Sequence, residues 1–144
     1  MVRIAQVGVG YWGPNLLRNL SSNYDSTVKA VVDTSKERQE FVQKMYPGIH
    51  VTDELGSIIN DPDIDAVVIA TPVVSHYDLT IQALNKGKHV LVEKPMATKT
   101  DQVREINQLA RKNKLVAMVG HTFLFNSAVR YVKSIIESGG TWRY

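Results

Sequence analysis

The stretch Val7-Gly8-Val9-Gly10-Tyr11-Trp12-Gly13-Pro14-Asn15-Leu16-Leu17 decides how this chain is read. On its amino side, Val2 to Val7 is a β-rich run. On its carboxyl side Gly13, Leu16, Leu17 and Leu20 fall at i, i+3, i+4 and i+7, one face of a helix. Pro14 stands in that helix's first turn, where its missing N–H costs nothing. Three glycines join the two elements. Gly8 permits a tight turn, Gly10 brings no side chain to an approaching phosphate, and Gly13 lets helix and strand come close. Free amides and the dipole at the helix start then face the anion.

Asp33 ends the next β-rich run, twenty residues beyond Gly13. Strand, glycine turn, helix and distal acid together make the dinucleotide fingerprint, whereas the glycines alone would equally serve S-adenosylmethionine or coenzyme A. An acid here accepts hydrogen bonds from the adenosine ribose hydroxyls and favours NAD. A 2′-phosphate at about 4 Å from it is repelled by about 4 kcal/mol at an effective dielectric near 20. Lys36 and Arg38 offer countercharge if Asp33 turns away, so NADP stays as the second choice. The alternative role of Asp33 is the N-cap of the following helix, and the two roles are compatible.

Outward from the turn, strand and helix patterns alternate. The β-rich runs are Val2 to Val7, Val28 to Val32, Ile49 to Val51, Ala66 to Ala70, Val90 to Val92 and Val116 to Val119. They are nearly continuously apolar, as strands covered on both faces are. A second helix after Thr34 is expected to bury Phe41, Val42 and Met45 and to stop at Pro47-Gly48. Leu55 to Ile59 is a short, weakly patterned connection. A fourth helix opens at Ser75-x-x-Asp78, a variant capping box, with Tyr77, Ile81 and Leu84 inward and Gly87 at its end. A fifth, Thr100 to Asn113, turns Val103, Ile106 and Ala110 inward. The last, Asn126 to Ser138, carries the stripe Ala128, Val129, Val132, Ile135 and Ile136 and ends at Gly139-Gly140. Short connections between alternating elements force right-handed crossovers. The expected fold is α/β: a doubly wound parallel Rossmann sheet of six strands in the order 3-2-1-4-5-6.

Composition agrees with one soluble domain: 144 residues, 44% hydrophobic and 22% charged. With no Cys there is no disulfide framework and no thiolate metal site, and a reducing compartment, the cytoplasm, is the default location. No metal is expected. A formal charge of +3 is modest, and Glu37, Glu40, Asp101 and Glu105 interrupt the basic residues, which argues against nucleic acid as a partner. The longest nearly apolar stretch, Ala66 to Val74, has nine residues, against about 20 for a membrane span. The amino terminus runs straight into a strand without a secretory pattern.

Three more segments fall at predicted strand ends: Ala70-Thr71-Pro72-x-x-x-His76, Glu93-Lys94-Pro95 and Gly120-His121. With the glycine turn they resemble the Gfo/Idh/MocA oxidoreductase family over essentially the whole chain. The resemblance implies hydride transfer between NAD(P) and a carbon of a sugar, inositol or nucleotide sugar. It makes Lys94 the proton shuttle at the carbinol oxygen and puts Thr71, Pro72 and Glu93 beside the nicotinamide ribose. It sets His76 and His121 near the reactive end of the cofactor, whose phosphates lie on Gly8, Gly10, Tyr11, Trp12 and Gly13, and it allows a cis Lys94–Pro95 bond. Each residue also has a plain structural reading: the prolines end strands, His76 starts a helix, and Lys94 is a solvated surface lysine. The segment Gly120 to Asn126 is similar to the nucleotide-sugar branch, such as UDP-N-acetylglucosaminuronate 3-dehydrogenases.

The family's pattern continues into a second α/β domain that covers the nicotinamide and carries further acid–base residues, and the 144 residues hold no counterpart of it. Residues 1–122 are therefore expected to form the dinucleotide-binding unit, and 123–144 a helix and tail leading toward such a domain. Acid–base work by a lysine at neutral pH needs burial or a neighbouring charge. Uncovered, Lys94 is expected to stay solvated, so the chain alone should bind cofactor without efficient turnover. Alternatives are a non-catalytic NAD-binding module and a subunit completed by a partner. The exposed stripe of the last helix predicts self-association through Val129, Val132 and Ile136.

Overall fold

The computed structural model describes residues 1–139. The second glycine of the predicted Gly139-Gly140 stop and the tail Thr141 to Tyr144 lie outside the described residues. In chain order the elements are β1 (Val2–Val7), α1 (Gly13–Ser21), β2 (Ser26–Val32), α2 (Lys36–Met45), β3 (His50–Thr52) and α3 (Leu55–Ile59). Then come β4 (Ala66–Ile69), a 3-10 turn (Val73–Ser75), α4 (His76–Asn85), β5 (His89–Val92), α5 (Thr100–Lys112) and β6 (Ala117–Val119). A second 3-10 turn (Thr122–Phe125) leads into α6 (Ser127–Glu137).

Among the described residues the strands form one sheet in the order β3-β2-β1-β4-β5-β6, with every neighbouring pair parallel. This is the doubly wound Rossmann fold. Parallel pairing puts all carboxyl ends on one edge, and that edge carries the three motifs and the glycine turn. Side chains alternate across each strand. On β2, Val31 joins one core with Val9, Leu17 and Val42, while Ala30 and Val32 join the other with Val7, Val67, Leu84 and Ile106. The first core is roofed by α1 and α2, the second by α3, α4 and α5.

Local chemistry fixes the helix ends. Ser35 caps α2 by accepting the Arg38 N–H, Gly87 leaves α4 with φ +75°, and Asn126 caps α6 by accepting from Ala128 and Val129. Three expectations need correction. In α2 the buried positions are Gln39 and Val42, while Phe41 and Met45 are exposed. The inward stripe runs through Gln39, Val42 and Tyr46 at i, i+3 and i+7, with the Gln39 side chain donating to the Asp33 carbonyl at 2.6 Å. In α4 Tyr77, Ile81 and Leu84 do pack on the core, but the expected inner face omits the buried His76, Thr80 and Ala83. The Ser75 capping box does not form, since that hydroxyl is spent on Pro72 and Thr71.

The amino edge of the sheet is held by charge. Arg3 donates to Asp65 from its backbone N–H (2.8 Å), Nε (3.0 Å) and Nη2 (2.7 Å), and from Nη1 to Asp63 (2.7 Å). The buried Lys88 ammonium donates to the carbonyls of Asp61 and Ile64, stitching the turn before β4 to the start of β5. The Arg3 side-chain bonds, then its backbone N–H, hold the Asp65 carboxyl well below the usual carboxylate range. A depressed folded-state value means the pair's stabilisation is present above the unfolded value of about 3.9 and is lost as pH falls through the folded one. Urea midpoints should therefore drop below about pH 4. Asp65→Asn should be less stable at pH 7 and show a flatter acid limb; an unchanged limb would show that this pair does not set acid lability.

Candidate functional site

The glycine turn leaves β1 and enters α1 under tight steric control. Gly8 has φ +93°, and a Cβ there would lie 2.6 Å from the Ala70 carbonyl oxygen and 2.9 Å from Thr71 Cγ2. A Cβ on Gly13 would meet the Gly8 carbonyl oxygen at 2.6 Å. Gly10 has open space around its Cα. The first and third glycines thus let backbone pack on backbone, and the second keeps the approach clear.

Among the described residues, the amides of Gly10, Tyr11, Trp12 and Gly13 donate to no protein acceptor. Three lead into α1 and the fourth opens it, so their dipoles add to that of the helix. Asp33 braces the turn. Its Oδ2 accepts the Val9 N–H at 2.7 Å and its Oδ1 accepts the Ser35 N–H at 2.9 Å. It is not the N-cap of α2, a role that Ser35 takes. Each carboxylate oxygen keeps lone-pair capacity for a further donor. Lys36 is drawn off to Asp53 (3.2 Å) and Gln39 (3.2 Å), and the hydrogen bond from Lys36 depresses the Asp53 carboxyl. The Arg38 side chain, half-buried on the same helix, makes no ion pair among the described residues.

Beside the turn, the carboxyl ends of β4 and β5 enclose a cavity of about 590 Å³. Tyr11 and Trp12 form one wall, Ala70 to Val73 and His76 another, and Glu93, Lys94, Thr122 and Phe123 the rest. The walls are fixed by local bonds. The Ser75 hydroxyl donates to the Pro72 carbonyl at 2.8 Å, which leaves it to accept from Thr71 Oγ1 at 2.8 Å. His76, 2% exposed, turns Nδ1 to the Pro95 carbonyl (2.8 Å) and Nε2 to the Thr71 carbonyl (2.7 Å). It starts α4 and ties two walls together, with neither ring nitrogen left for a ligand. The Lys94–Pro95 peptide is cis, and Lys94 itself is exposed at the rim. Gly120 makes room for the Glu93 carboxylate, whose oxygen a Cβ there would approach to 3.0 Å.

The structure therefore brings Tyr11, Trp12, Thr71, Pro72, His76, Glu93 and Lys94 to one cavity, with Gly8, Gly10, Gly13 and Asp33 on the adjoining turn. His121 is exposed and does not line the cavity. Sequence reasoning missed Phe123, Thr122 and Ser75. It also missed Gln6, a buried glutamine in an apolar strand two residues before Gly8, whose polarity in that position was the available signal.

A family model described as an oxidoreductase family with NAD-binding Rossmann fold matches residues 2–121. The chain belongs to the Gfo/Idh/MocA family. It is 30% identical over 138 residues to 4-carboxy-2-hydroxymuconate-6-semialdehyde dehydrogenase of a Sphingobium species, covering 96% of this chain and 44% of that enzyme. Inositol 2-dehydrogenase of Streptomyces avermitilis is 30% identical over 141 residues, covering 96% and 41%. The crystal structure of KijD10, a 3-ketoreductase from Actinomadura kijaniata in complex with NADP and TDP-benzene, superposes with a TM-score of 0.86 at 26% identity. It too is matched over 96% of this chain and 42% of its own. The chain thus spans about two fifths of the length of these relatives.

The Gfo/Idh/MocA turn makes a graded prediction. Gly8→Ala forces a side chain into positive φ and against the Ala70 carbonyl, and should cost at least about 2 kcal/mol. Gly13→Ala should be comparably damaging, while Gly10→Ala should leave the urea midpoint near that of the parent. Equal midpoints for all three would remove the steric account of the turn.

Proposed function

We propose that this chain is the cofactor-holding part of an oxidoreductase that moves a hydride between NAD and a sugar or nucleotide sugar. The observation that carries the reading is the turn itself: four unpaired amides at the start of α1 beside a carboxylate fixed by two backbone N–H groups. The amides would take the pyrophosphate and Asp33 the adenosine ribose hydroxyls. Trp12, Thr71, Pro72 and Glu93 would receive the nicotinamide half in the adjoining cavity, with Gly8, Gly10, Tyr11 and Gly13 shaping its entrance. Lys94, at the cavity rim, would pass a proton to or from the substrate oxygen. Bound NAD would supply the hydride acceptor.

Preference for NAD over NADP rests on Asp33, held too firmly to turn away, and on Lys36, already engaged by Asp53. Arg38 is left as the cation nearest to hand for a 2′-phosphate. The 3-ketoreductase from Actinomadura kijaniata was solved in complex with NADP, and in this chain Asp33 is the group that opposes a 2′-phosphate. The segment from Gly120 to Asn126 favours a nucleotide sugar, of the kind used by UDP-N-acetylglucosaminuronate 3-dehydrogenases. Absence of Cys fits a reducing compartment such as the cytoplasm.

Residues 1–122 would form the binding unit, and α6 would lead toward a substrate-covering domain or meet a partner subunit. None of its residues is buried: Val129, Val132 and Ile136 are 43%, 44% and 62% exposed. A second copy closing on that stripe is the form expected for the isolated chain. Light scattering at high concentration should show a dimer that Val132→Glu disperses; a monomer at all concentrations would end this part of the proposal.

Calorimetric titration should give tighter binding of NADH than of NADPH. Asp33→Asn keeps an acceptor for Val9 and removes the charge, and should move the NADH/NADPH ratio toward NADPH by about tenfold or more. No binding of either cofactor to the folded chain would overturn the reading. With Lys94 in solvent, no steady reduction of NAD by a nucleotide sugar is expected from these 144 residues. Sustained turnover would show that the rim lysine needs no cover.

A further inference from the structure

Gln6 lies on β1, an interior strand of the sheet between β2 and β4, on the face that α1 covers. It is completely buried. Its Nε2 donates to the Gly8 carbonyl at 2.9 Å and to the Gly13 carbonyl at 2.8 Å, and its Oε1 has no partner among the described residues. Two carbonyl oxygens around one amide atom fix that atom as the nitrogen, because a flipped amide would set oxygen against oxygen. A Cβ on Gly13 would lie 3.2 Å from this nitrogen, so the amide fills the gap between the two ends of the turn.

A leucine or methionine would pack the same space without the orphaned Oε1, at the cost of the donor to the buried Gly8 carbonyl. An unpaired buried acceptor carries a desolvation penalty, and a central strand gains nothing from it. Departures from local consistency of this kind concentrate where function constrains the chain. The geometry supplies the function. A phosphate is attracted by N–H groups and repelled by carbonyl oxygens, and a six-residue turn contains both. By holding the Gly8 and Gly13 carbonyls inward, the Gln6 amide leaves the amides of Gly10, Tyr11, Trp12 and Gly13 as the groups facing out.

We propose that Gln6 is a positioning residue for the cofactor pyrophosphate: it clasps the first and third glycines so that the turn presents its N–H groups to the anion. This rests on the dinucleotide reading of the site, and the test separates the two. In the unmodified chain, NMR should find the Gln6 side-chain amide protons protected from solvent exchange, in the presence and absence of ligand. Gln6→Met, nearly isosteric but without a donor, should still fold, since the loss of its two bonds is partly offset by removal of the unpaired Oε1. Its Gly10 to Gly13 amides should change in shift and lose order. Its ADP-ribose affinity should fall by about tenfold, while adenosine, which has no phosphate, should bind within about twofold of the parent.

A merely structural Gln6 would weaken both ligands alike, and that result would overturn the proposal. So would a folded Gln6→Met chain with parental turn spectra and parental ADP-ribose affinity. Failure of the unmodified chain to bind ADP-ribose would sink the dinucleotide reading alone, and the clasp would then stand or fall on the turn spectra. If Gln6→Met does not fold, Gln6→Leu takes its place, and solvent-rate exchange of the Gln6 amide protons in the parent overturns the proposal without any variant.

Discussion

Three pieces of backbone meet at one point of this molecule, closer than a Cβ on either glycine would allow. The would-be Cβ of Gly8 lies 2.6 Å from the Ala70 carbonyl oxygen, and that of Gly13 lies 2.6 Å from the Gly8 carbonyl oxygen. This approach sets how far α1 starts from the sheet edge, and hence where its unpaired amides point. It also pulls the end of β1 against the end of β4, which puts the turn beside the Thr71 to Val73 wall of the cavity. Side-chain contacts elsewhere tolerate adjustment of rotamers, but a backbone–backbone contact has nothing to adjust.

Around that contact the protein separates its polar devices by edge. At the amino edge Arg3, Asp65 and Lys88 are spent on internal bonds, so the charges there serve the fold. At the carboxyl edge, polar groups are held but not used up. Asp33 is fixed by two N–H groups and still has lone pairs, and four amides stand free. Lys94 is exposed, while the carbonyl of its neighbour Pro95 is held by His76 and the carboxylate of Glu93 lies against Gly120. An edge organised in this way offers free N–H donors to an anionic ligand.

Much of this was legible from residue order. Alternating apolar runs and helical stripes specify the doubly wound sheet because parallel strands are buried on both faces and short crossovers take one hand. Glycine spacing was equally informative, since an L side chain at Gly8 or Gly13 has nowhere to go. Motifs at strand ends were legible as one cluster because a parallel sheet puts every carboxyl end on the same edge.

What sequence pattern could not settle was the use of each polar side chain. Phe41 and Met45 read as core, yet the inner stripe of α2 runs through Val42 and Gln39, whose amide bonds the Asp33 carbonyl. Ser75 read as a cap, yet its hydroxyl braces the cavity wall, and His76, which does start α4, also clamps Thr71 to Pro95. Gln6 carried no signal beyond being polar in an apolar strand. Hydrophobic pattern is a property of neighbours along the chain, and so the sequence by itself determined the sheet, its order and the glycine turn. A hydrogen bond belongs to atoms that are neighbours only in space, so which donor meets which carbonyl was decided by the tertiary structure.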